Sequence, residues 1–543
     1  MEQDKRYPRP QFVRGNYTLY DGVWDFDYDD ADLGEKEQWF ISHEFEKKIH
    51  VPFAPETVLS GIHDEHCHEN VWYARIISVD SKQLEKNDFV LHFEGVDFVA
   101  KLWVNGSFIG CHKGGYARFS FDISNALHDG ENKIVLKAED SLSKTQPRGK
   151  QRWLKISFAC WYVQTTGIWK SVWSEWVPKT SLQSIKLTPH LDDGTLSVSA
   201  ELSRTGKGDT LEITVSLHEK VINSLTLDAG KNHLDVLVDV KDSSENAWDI
   251  VPWKPENPVL YDIGFVLRKD GKTVDAVNSY FAMRSISVEG SLVLLNNEPC
   301  YQKLILDQGY WPDSGLTAPN VEALEKDVES VKAMGFNGVR KHQKIEDERF
   351  LYLCDKLGLL VWSEMPATYT FCDEAVQEFT REWMEIVSQN YNHPCIVTWV
   401  PFNESWGIRD VKRSKRQQDF TCEICCLTKT YDQTRPVITN DGWEHTASDI
   451  ITVHDYEQSG EKLRKRYQEG EAVLKAGKLH YNCGRTALCE GWPYKGQPIM
   501  ISEYGGIAFK GKLSSWGYGE RMESKEAFVK RFDDITSAVK SIP

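Results

Sequence analysis

Two glutamates occupy equivalent places in the sequence, each at the end of an apolar run that a turn follows. Asn403 and Glu404 end the run in "IVTWVPFNES", and Glu503 ends the run in "PIMISEYGG". In parallel β/α units the functional groups lie where strands end and loops begin, on one shared face. A closed barrel would therefore bring both strand ends, and both carboxylates, to the same mouth.

Two carboxylates that face each other suit the cleavage of an acetal. Glycoside hydrolysis needs one carboxyl group that protonates the leaving oxygen and a second, ionised one that attacks the anomeric carbon. In a retaining pair they lie about 5 to 5.5 Å apart, so the charge on one raises the pKa of the other. A single glutamate at a strand end is a weak signal, because such residues also cap helices or pair with arginines.

The elements that must position these glutamates begin near residue 286, where strands and helices alternate. The segment "NVEALEKDVESVKAMG" has its apolar residues on one helical face and stops at Gly335, a typical residue just past a helix end. Such alternation predicts parallel strands covered by helices. We count seven strands, including "PVITNDGW" as the fifth. An eight-stranded barrel would lack its last strand and helix, whereas an open doubly wound sheet needs no eighth strand, so the count leaves both folds open.

The first half of the chain has a period of two, which predicts β-structure. Asn105-Gly106 lies between two apolar triplets and predicts a two-residue hairpin turn, because both turn residues need positive φ. Residues 1–178 are therefore predicted to form an all-β sandwich. In residues 179–285, alternate apolar residues from Leu211 to Leu217 form one face, and the length fits an immunoglobulin-like sandwich.

Composition restricts the function classes. The 543 residues carry a formal net charge of -17, which argues against a nucleic-acid or anionic-membrane partner and favours a neutral or cationic substrate. The N-terminal residues lack the apolar core of a signal peptide, so the chain is predicted to be cytoplasmic with reduced thiols. Cys422, Cys425 and Cys426 lie in an amphipathic helical pattern, where thiols usually pack in the core rather than bind a metal.

The motifs in their order resemble glycoside hydrolase family 2, which includes β-galactosidases, β-glucuronidases and β-mannosidases. "FEGVDFVAKLWVNGSFIG", "HKGGYARFSFDI" and "TTGIWKSVW" are similar to its N-terminal domain, and "PENPVLYDI" and "FAMRSISV" to its second domain. "MGFNGVRKHQKIEDERFLYLCDKLGLLVWSEMP" and "HPCIVTWVPFNESWG" are similar to its catalytic barrel. The resemblance implies a jelly roll in residues 1–178, an immunoglobulin-like β-sandwich in 179–285 and a (β/α)8 TIM barrel in 286–543.

The resemblance also implies roles for particular residues in a retaining double displacement. Glu404 corresponds to the acid/base and Glu503 to the nucleophile, while Asn403 would hydrogen-bond the sugar 2-hydroxyl. Tyr456 matches a tyrosine that orients the nucleophile, and Arg340 and His342 match an arginine and a histidine that support the site. Glu364 matches an acidic residue that ligates magnesium in some β-galactosidases. Too little of that magnesium ligand set is present to predict a metal, and no cofactor is predicted.

Other candidates rest on position alone. Asp307 and Trp311 follow the first strand of the barrel and could hydrogen-bond and stack on a sugar, or could simply form a packed loop. Asn440, Trp443 and His454 also follow strands and are candidates for substrate contact. The segment "HDEHCHE", residues 63–69, resembles a metal cluster, but its ligands crowd too closely for one tetrahedral site, so a solvated loop is the preferred interpretation.

Three functional hypotheses remain open at this point. The preferred one is an exo-acting glycosidase of terminal β-galactosides, with a β-glucuronide or β-mannoside as the alternative sugar. The second is a carbohydrate-binding fragment with impaired catalysis, because the eighth strand of the family barrel would follow Pro543. The third is a metallohydrolase that uses the loop of residues 63–69. A homo-oligomer is common in the family and stays an option.

Overall fold

The computed structural model describes residues 6–242, 249–468, 470, 474, 484–510 and 516–542. Up to about residue 300 the described chain is mostly antiparallel β-structure, and from Leu304 parallel strands alternate with helices. The change of pattern that the sequence predicts is therefore present. Among the described residues, no helix combines the length and the apolar composition that a membrane crossing requires.

The N-terminal region forms two antiparallel sheets that enclose one apolar core. Its strands are β1 Tyr17–Leu19, β2 Gly22–Tyr28, β3 Lys47–Val51, β4 Asn70–Val79, β5 Asn87–Phe93, β6 Val96–Asp97, β7 Val99–Val104, β8 Ser107–Lys113, β9 Phe119–Asp122, β10 Gly130–Glu139, β11 Gly167–Ile168 and β12 Val172–Pro178. The strand orders are β1-β12-β5-β9 and β3-β2-β4-β10-β7-β8, with a short β11-β6 ladder beside them. Short helical turns connect them: α1 Trp39–Ser42 and the 3-10 segments Val58–Ser60, Ser81–Glu85 and Ser124–Ala126.

The predicted hairpin turn is confirmed between β7 and β8. Asn105 and Gly106 have φ values of 50° and 81°, and Val104 pairs with Ser107. Side chains from both sheets, such as Phe26, Leu91 and Leu136, are fully buried in the shared core. The alternation of apolar residues therefore forms the core that the sequence predicts.

A second pair of antiparallel sheets follows in the chain. Its strands are β13 Ser181–His190, β14 Thr195–Ser203, β15 Thr210–Leu217, β16 Lys220–Asp228, β17 His233–Asp239, β18 Tyr261–Lys269 and β19 Lys272–Phe281. The orders are β13-β14-β17 and β16-β15-β18-β19. Leu211, Ile213 and Val215 are at most 1% exposed in the core between these sheets, as their alternation predicts. The three strands β20 Ile286–Glu289, β21 Leu292–Leu295 and β22 Glu298–Pro299 then lead into the parallel region.

The parallel region contains the candidate site. Its strands are β23 Leu304–Asp307, β24 Gly338–Lys341, β25 Leu360–Glu364, β26 Ile396–Val400, β27 Ile451–Asp455 and β28 Ile499–Tyr504, followed by the short pair β29 Ile507–Phe509 and β30 Tyr518–Met522. Its helices are α2 Val321–Ala333, α3 Glu348–Leu357, α4 Asp373–Asn390, α5 Lys415–Tyr431, α6 Gly460–Tyr467 and α7 Lys525–Lys540. As predicted, α2 ends before Gly335, which has a φ of 86°. Cys422, Cys425 and Cys426 lie on α5, and Cys425 is buried.

The prediction of a continuous fifth strand in "PVITNDGW" is wrong. This segment makes two isolated parallel bridges to the end of β26, Trp399 with Val437 and Asn403 with Asp441. On the edge that faces away from β26, a side chain accepts a hydrogen bond that a neighbouring strand would otherwise accept. The backbone N–H of Val437 donates to the carboxylate of Asp449 at 2.8 Å. The segment still occupies the fifth position. Among the described residues no ladder joins β28 to β23.

The N-terminal region packs directly on the parallel region. The N–H groups of Arg148 and Gly149 both donate to the carbonyl of Ala367, at 3.0 and 3.2 Å. Gly149 has a φ of 57°, and a Cβ atom there would lie 2.4 Å from the carbonyl oxygen of Gln343. Only glycine therefore allows this close approach.

A second contact of the same interface predicts a loss of stability. Glu382 on α4 is fully buried and accepts the backbone N–H of Tyr116 at 2.7 Å. Glu382→Leu leaves this donor buried without a partner, so we expect the free energy of unfolding to fall by about 1–3 kcal/mol. Thermal unfolding measures the loss. Glu382→Gln, which keeps an acceptor, and Glu374→Leu on the exposed side of α4 are the controls, and an equal loss in all three variants contradicts the assignment.

Candidate active site

Arg340 on β24 is the centre of a buried polar network. Its side chain is 2% exposed and donates to Glu364 at 2.7 Å, to Glu503 at 2.8 Å and to the Oδ1 atom of Asn403 at 2.7 Å. The same guanidinium lies 2.8 Å from Asp441. One cation thus contacts side chains from four other strand positions of the parallel region. The sequence predicts that the ends of these strands converge in this way.

His454 on β27 is the second cation of the network. Its Nδ1 atom lies 2.9 Å from Glu404, and its Nε2 atom lies 2.7 Å from Asp441 and 3.5 Å from Glu503. Burial lowers its pKa, but the charge of Glu503 and the hydrogen bonds to Asp441 and Glu404 outweigh burial and raise it to about 10. The imidazole is therefore protonated at neutral pH and donates from both nitrogens.

Glu404 enters the site from a strained backbone. Glu404 and Ser405 have φ values of 51° and 56°, in the left-handed region that non-glycine residues rarely adopt. Two hydrogen bonds hold this turn: the N–H of Glu404 donates to the carbonyl of Asp441 at 3.0 Å, and the N–H of Ser405 donates to Asn440 at 2.9 Å. The chain reverses directly after the buried β26, and this reversal aims the carboxylate of Glu404 at His454.

The two glutamates predicted from the sequence lie side by side. One carboxylate oxygen from each of Glu404 and Glu503, together with a ring nitrogen of His454, lie within 4.8 Å of one another. This separation is close to that of a retaining pair. Burial favours the neutral form of both carboxyl groups, but the protonated His454 opposes burial, and with help from Arg340 it lowers both pKa values. The sequence-based expectation that one carboxyl has a raised pKa is not met here, because a cation lies between the pair.

Tyr456 binds the second oxygen of Glu503 and stacks on Tyr518. The hydroxyl of Tyr456 donates to Oε2 of Glu503, and burial followed by the charge of Glu503 raises the pKa of Tyr456 far above its usual range. The rings of Tyr456 and Tyr518 are stacked, with centroids 3.5 Å apart. Both oxygens of Glu503 are therefore fixed in place by donors.

Several buried polar atoms of the site have no partner within the described part of the protein. They are Nδ2 of Asn403, Oδ1 of Asp441 and the Nε1 atoms of Trp406 and Trp443. Buried polar groups are usually satisfied. The arrangement therefore offers three donors and one acceptor to a polar ligand, and hydroxyl groups of a sugar can satisfy both kinds.

His342 and Glu364 contact the guanidinium of Arg340 and each other. Glu364 is fully buried, accepts from Nε of Arg340 and lies 2.9 Å from Nδ1 of His342. Burial raises the pKa of Glu364 to about 7, although Arg340 opposes the shift. Burial, Lys150 and Arg340 lower the pKa of His342 well below its usual value, so this ring is neutral.

Two other predicted residues, Asp307 and Trp311, have different surroundings. Asp307 accepts from Lys341 at 2.7 Å, and Lys341 neighbours Arg340 on β24, so the two side chains point to opposite faces of the strand. Asp307 therefore lies on the helix side, away from the Arg340 network. Trp311 packs against the main core in a loop bridged to Gly315.

Asn440 is occupied in holding the Glu404 turn. Its Nδ2 atom donates to the hydroxyl of Ser405 and to the carbonyl of Trp443, at 3.0 and 2.7 Å. Trp443 in turn packs edge-on against the ring of His454, with centroids 5.4 Å apart. Trp443 therefore borders the network, whereas Asn440 supports it.

Sequence reasoning missed Asp441, Tyr518 and Lys150. Asp441 accepts from both cations of the site, and its signal was an acidic residue at the fifth strand position, one residue after Asn440. Tyr518 lies beyond the last predicted strand and Lys150 lies in the N-terminal region. No spacing rule connects either residue to the barrel, and only the packing reveals them.

Two clusters among the described residues have the composition of metal sites. Glu404, His454 and Glu503 form one, and Asp355, His393 and Cys395 form the other; the loop of residues 63–69 belongs to neither. In the first cluster, both ring nitrogens of His454 already pair with carboxylates, Nδ1 with Glu404 at 2.9 Å and Nε2 with Asp441 at 2.7 Å. In the second cluster, Asp355 is already bonded to Tyr280 and His393 at 2.7 and 2.6 Å. We assign no metal to either cluster.

The fold and the paired carboxylates define the class of protein, and comparison with known proteins identifies it. Residues 18–172 match the sugar binding domain of glycosyl hydrolases family 2, residues 180–284 match a second model of that family, and residues 286–538 match its TIM barrel domain. The chain belongs to glycoside hydrolase family 2.

Relatives within the family carry two different names. A β-galactosidase of Thermoanaerobacter pseudethanolicus is 27% identical over 375 residues, 67% of this chain and 48% of that protein. A β-glucuronidase of Streptococcus agalactiae is 24% identical over 98% of this chain and 90% of that protein. The chain spans about half the length of the T. pseudethanolicus relative and of a putative β-glucuronidase of Formosa agariphila, at 48% and 44%.

Solved structures share the fold. A β-glucuronidase from Ruminococcus gnavus in complex with D-glucuronic acid has a TM-score of 0.77 at 19% identity, covering 100% of this chain and 91% of that one. A Bifidobacterium dentium β-glucuronidase has a TM-score of 0.79 at 18% identity, covering 99% and 90%. At this identity the likeness establishes the architecture.

The raised pKa of His454 predicts a pH-dependent contribution to stability. Because the folded-state pKa is about 10 and the ordinary value is 6.5, the stabilisation is complete below about pH 6.5 and is lost as the pH rises through about 10. We expect the difference in melting temperature between the parent and His454→Gln to be larger at pH 6 than at pH 10. His66→Gln, at an exposed histidine, is the control. A difference that stays constant or grows with pH contradicts the assignment.

Proposed function

We propose that this protein is a retaining, exo-acting β-glycosidase that removes terminal β-linked sugars by double displacement. The observation that carries the proposal is the pair of carboxylates, Glu404 after β26 and Glu503 on β28, with oxygens within 4.8 Å of each other. The separation suits direct attack by one carboxylate rather than attack by an intervening water molecule. Family membership supports the same reaction class.

Glu503 acts as the nucleophile in this proposal. Its lowered pKa keeps the carboxylate ionised, and its bonds to Arg340 and Tyr456 fix the direction of both oxygens. Attack on the anomeric carbon forms a glycosyl-enzyme ester and breaks the bond to the leaving oxygen. Asn403 has an unpartnered Nδ2 atom beside Arg340, which suits a hydrogen bond to the sugar 2-hydroxyl.

Glu404 acts as the acid and then as the base. It must deliver a proton to the leaving oxygen, and in the ligand-free protein that proton lies on His454, 2.9 Å away. Substrate that excludes water from the site favours the neutral form of the carboxyl group, so the proton moves from Nδ1 of His454 through Glu404 to the leaving oxygen. In the second step Glu404 takes a proton from water, the hydroxide attacks the anomeric carbon and releases Glu503, and the proton returns from Glu404 to Nδ1 of His454.

The identity of the terminal sugar requires a separate test. β-Galactosides are the expectation from the sequence, with β-glucuronides and β-mannosides as alternatives, and relatives of both of the first two names are found. A panel of aryl β-glycosides distinguishes them through kcat/KM.

Replacing either glutamate tests the catalytic roles. We expect Glu404→Gln to lower kcat by about 10²- to 10⁴-fold, the usual contribution of a general acid/base, and Glu503→Gln to lower it at least as much. Hydrolysis of the best aryl β-glycoside from the panel measures both. Glu520→Gln, at an exposed glutamate on β30, is the control. If both variants retain parental activity the roles are wrong, and if the parent only binds sugars the chain is a carbohydrate-binding protein.

The stereochemistry of the product tests the retaining mechanism separately. Double displacement inverts the anomeric carbon twice, so the sugar released first has the β configuration of the substrate. Proton NMR during the first minutes of hydrolysis distinguishes it from the α-anomer, which appears later through mutarotation. Initial release of the α-anomer contradicts the proposed mechanism, whichever sugar is the substrate.

A further inference from the structure

Lys150 is a buried cation for which the described residues provide no carboxylate partner. Its side chain is among the buried ones, at 7% exposure, and Nζ contacts the thiol of Cys160 at 3.5 Å. No described Asp or Glu oxygen lies within 4.0 Å of Nζ, whereas Lys341 and Lys344 each contact Glu346 within that distance. A buried ammonium without a counter-charge is costly, and a thiol is a weak acceptor.

The backbone around Lys150 is fixed against the candidate active site. The preceding Gly149 donates to Ala367, and its carbonyl accepts from the hydroxyl of Tyr369. The carbonyl of Lys150 accepts from the N–H of Tyr162 at 2.8 Å. Gly149 also packs against Gln343, the residue next to His342. Lys150 is thus held where the N-terminal region covers the loop after β24.

The charge of Lys150 acts on the site itself. After burial, Lys150 is the largest cause of the lowered pKa of His342, and it also helps to lower the pKa of Glu404. Nζ lies 5.5 Å from the ring centroid of Trp161, whose Nε1 atom donates to Tyr369 at 2.7 Å. The ammonium therefore packs on an aromatic side chain, and its charge reaches Glu404.

We propose that Lys150 is a specificity-determining residue that binds the carboxylate of a β-linked hexuronic acid. The proposal rests on the glycosidase function proposed above and specifies its substrate class. A carboxylate in this position supplies the counter-charge that the described residues do not provide, through a charge-assisted hydrogen bond. The net charge of -17 disfavours anions at long range, but Lys150 and Arg340 supply local positive charge where the substrate would bind.

Kinetics on matched substrates test this role. We expect the parent to hydrolyse p-nitrophenyl β-D-glucuronide or β-D-galacturonide with a higher kcat/KM than the corresponding neutral glycoside. Lys150→Met should lower the uronide value by about 100-fold, the scale for truncating a buried charge pair, and lower the neutral value by a much smaller factor, through its effect on the pKa of Glu404 alone. Lys150→Arg should retain part of the uronide activity. Lys155→Met, at an exposed lysine of the same loop, is the control.

Two outcomes overturn the role of Lys150. One is a uronide kcat/KM that Lys150→Met leaves unchanged, and the other is an equal loss on uronides and neutral glycosides. A parent that hydrolyses only neutral glycosides also contradicts the uronide assignment while it supports the glycosidase function.

Binding separates this proposal from the glycosidase proposal. Calorimetry with p-nitrophenyl β-D-glucuronide and β-D-galacturonide on Glu503→Gln, with and without Lys150→Met, needs no turnover. Uronide binding that Lys150→Met weakens by about 100-fold supports the subsite even if the parent hydrolyses nothing. Undetectable uronide binding, or binding that is independent of Lys150, overturns it even if hydrolysis of other sugars succeeds.

Discussion

The site depends on the neutralisation of several buried carboxylates by two cations. Glu364, Asp441, Glu503 and Glu404 converge at the strand ends, and each contacts Arg340 or His454 within 3.0 Å. Unpaired buried charges cost several kcal/mol each, so neither cation can be removed without a penalty that falls on the carboxylates. In the proposed mechanism the same pairing keeps Glu503 ionised and places Nδ1 of His454, the proton donor, 2.9 Å from Oε1 of Glu404.

The backbone fold determines which side chains point toward the two cations. Alternation along β24 separates two clusters: Arg340 faces the network of the site, and Lys341 faces the helix side, where it pairs with Asp307 and Glu346. The strained turn at Glu404 gives the second carboxylate its direction, and the backbone of Asp441 holds that turn. The N-terminal region packs on the loop after β24 at Gly149, and the charge of the adjacent Lys150 lowers the pKa of Glu404. The β-rich half of the chain thus affects the electrostatics of the site as well as stability.

The sequence predicts where the buried strands end better than it predicts which side chains contact each other there. Glu404 and Glu503 were found because an apolar run that stops at a turn marks the end of a buried strand, and such ends meet on one face. Asp307 satisfied the same rule but lies on the other side of its strand, because a one-residue difference in register reverses the direction of a side chain. The lowered pKa of Glu404 could not be predicted, since it requires His454 to lie between the two carboxylates. The fifth strand was overpredicted because side chains, such as that of Asp449, take over the hydrogen bonds of one edge.

In the proposed reaction Glu503 attacks the anomeric carbon while Arg340 and Tyr456 hold its carboxylate. The glycosyl-enzyme ester can be trapped with a 2-deoxy-2-fluoro-β-glycosyl fluoride of the preferred sugar, and the modified peptide can be mapped by mass spectrometry. We expect time-dependent inactivation with one sugar attached to Glu503 in the peptide that contains "ISEYGG". A label on any other residue, or inactivation of the Glu503→Gln variant at the parental rate, would contradict the proposed reaction.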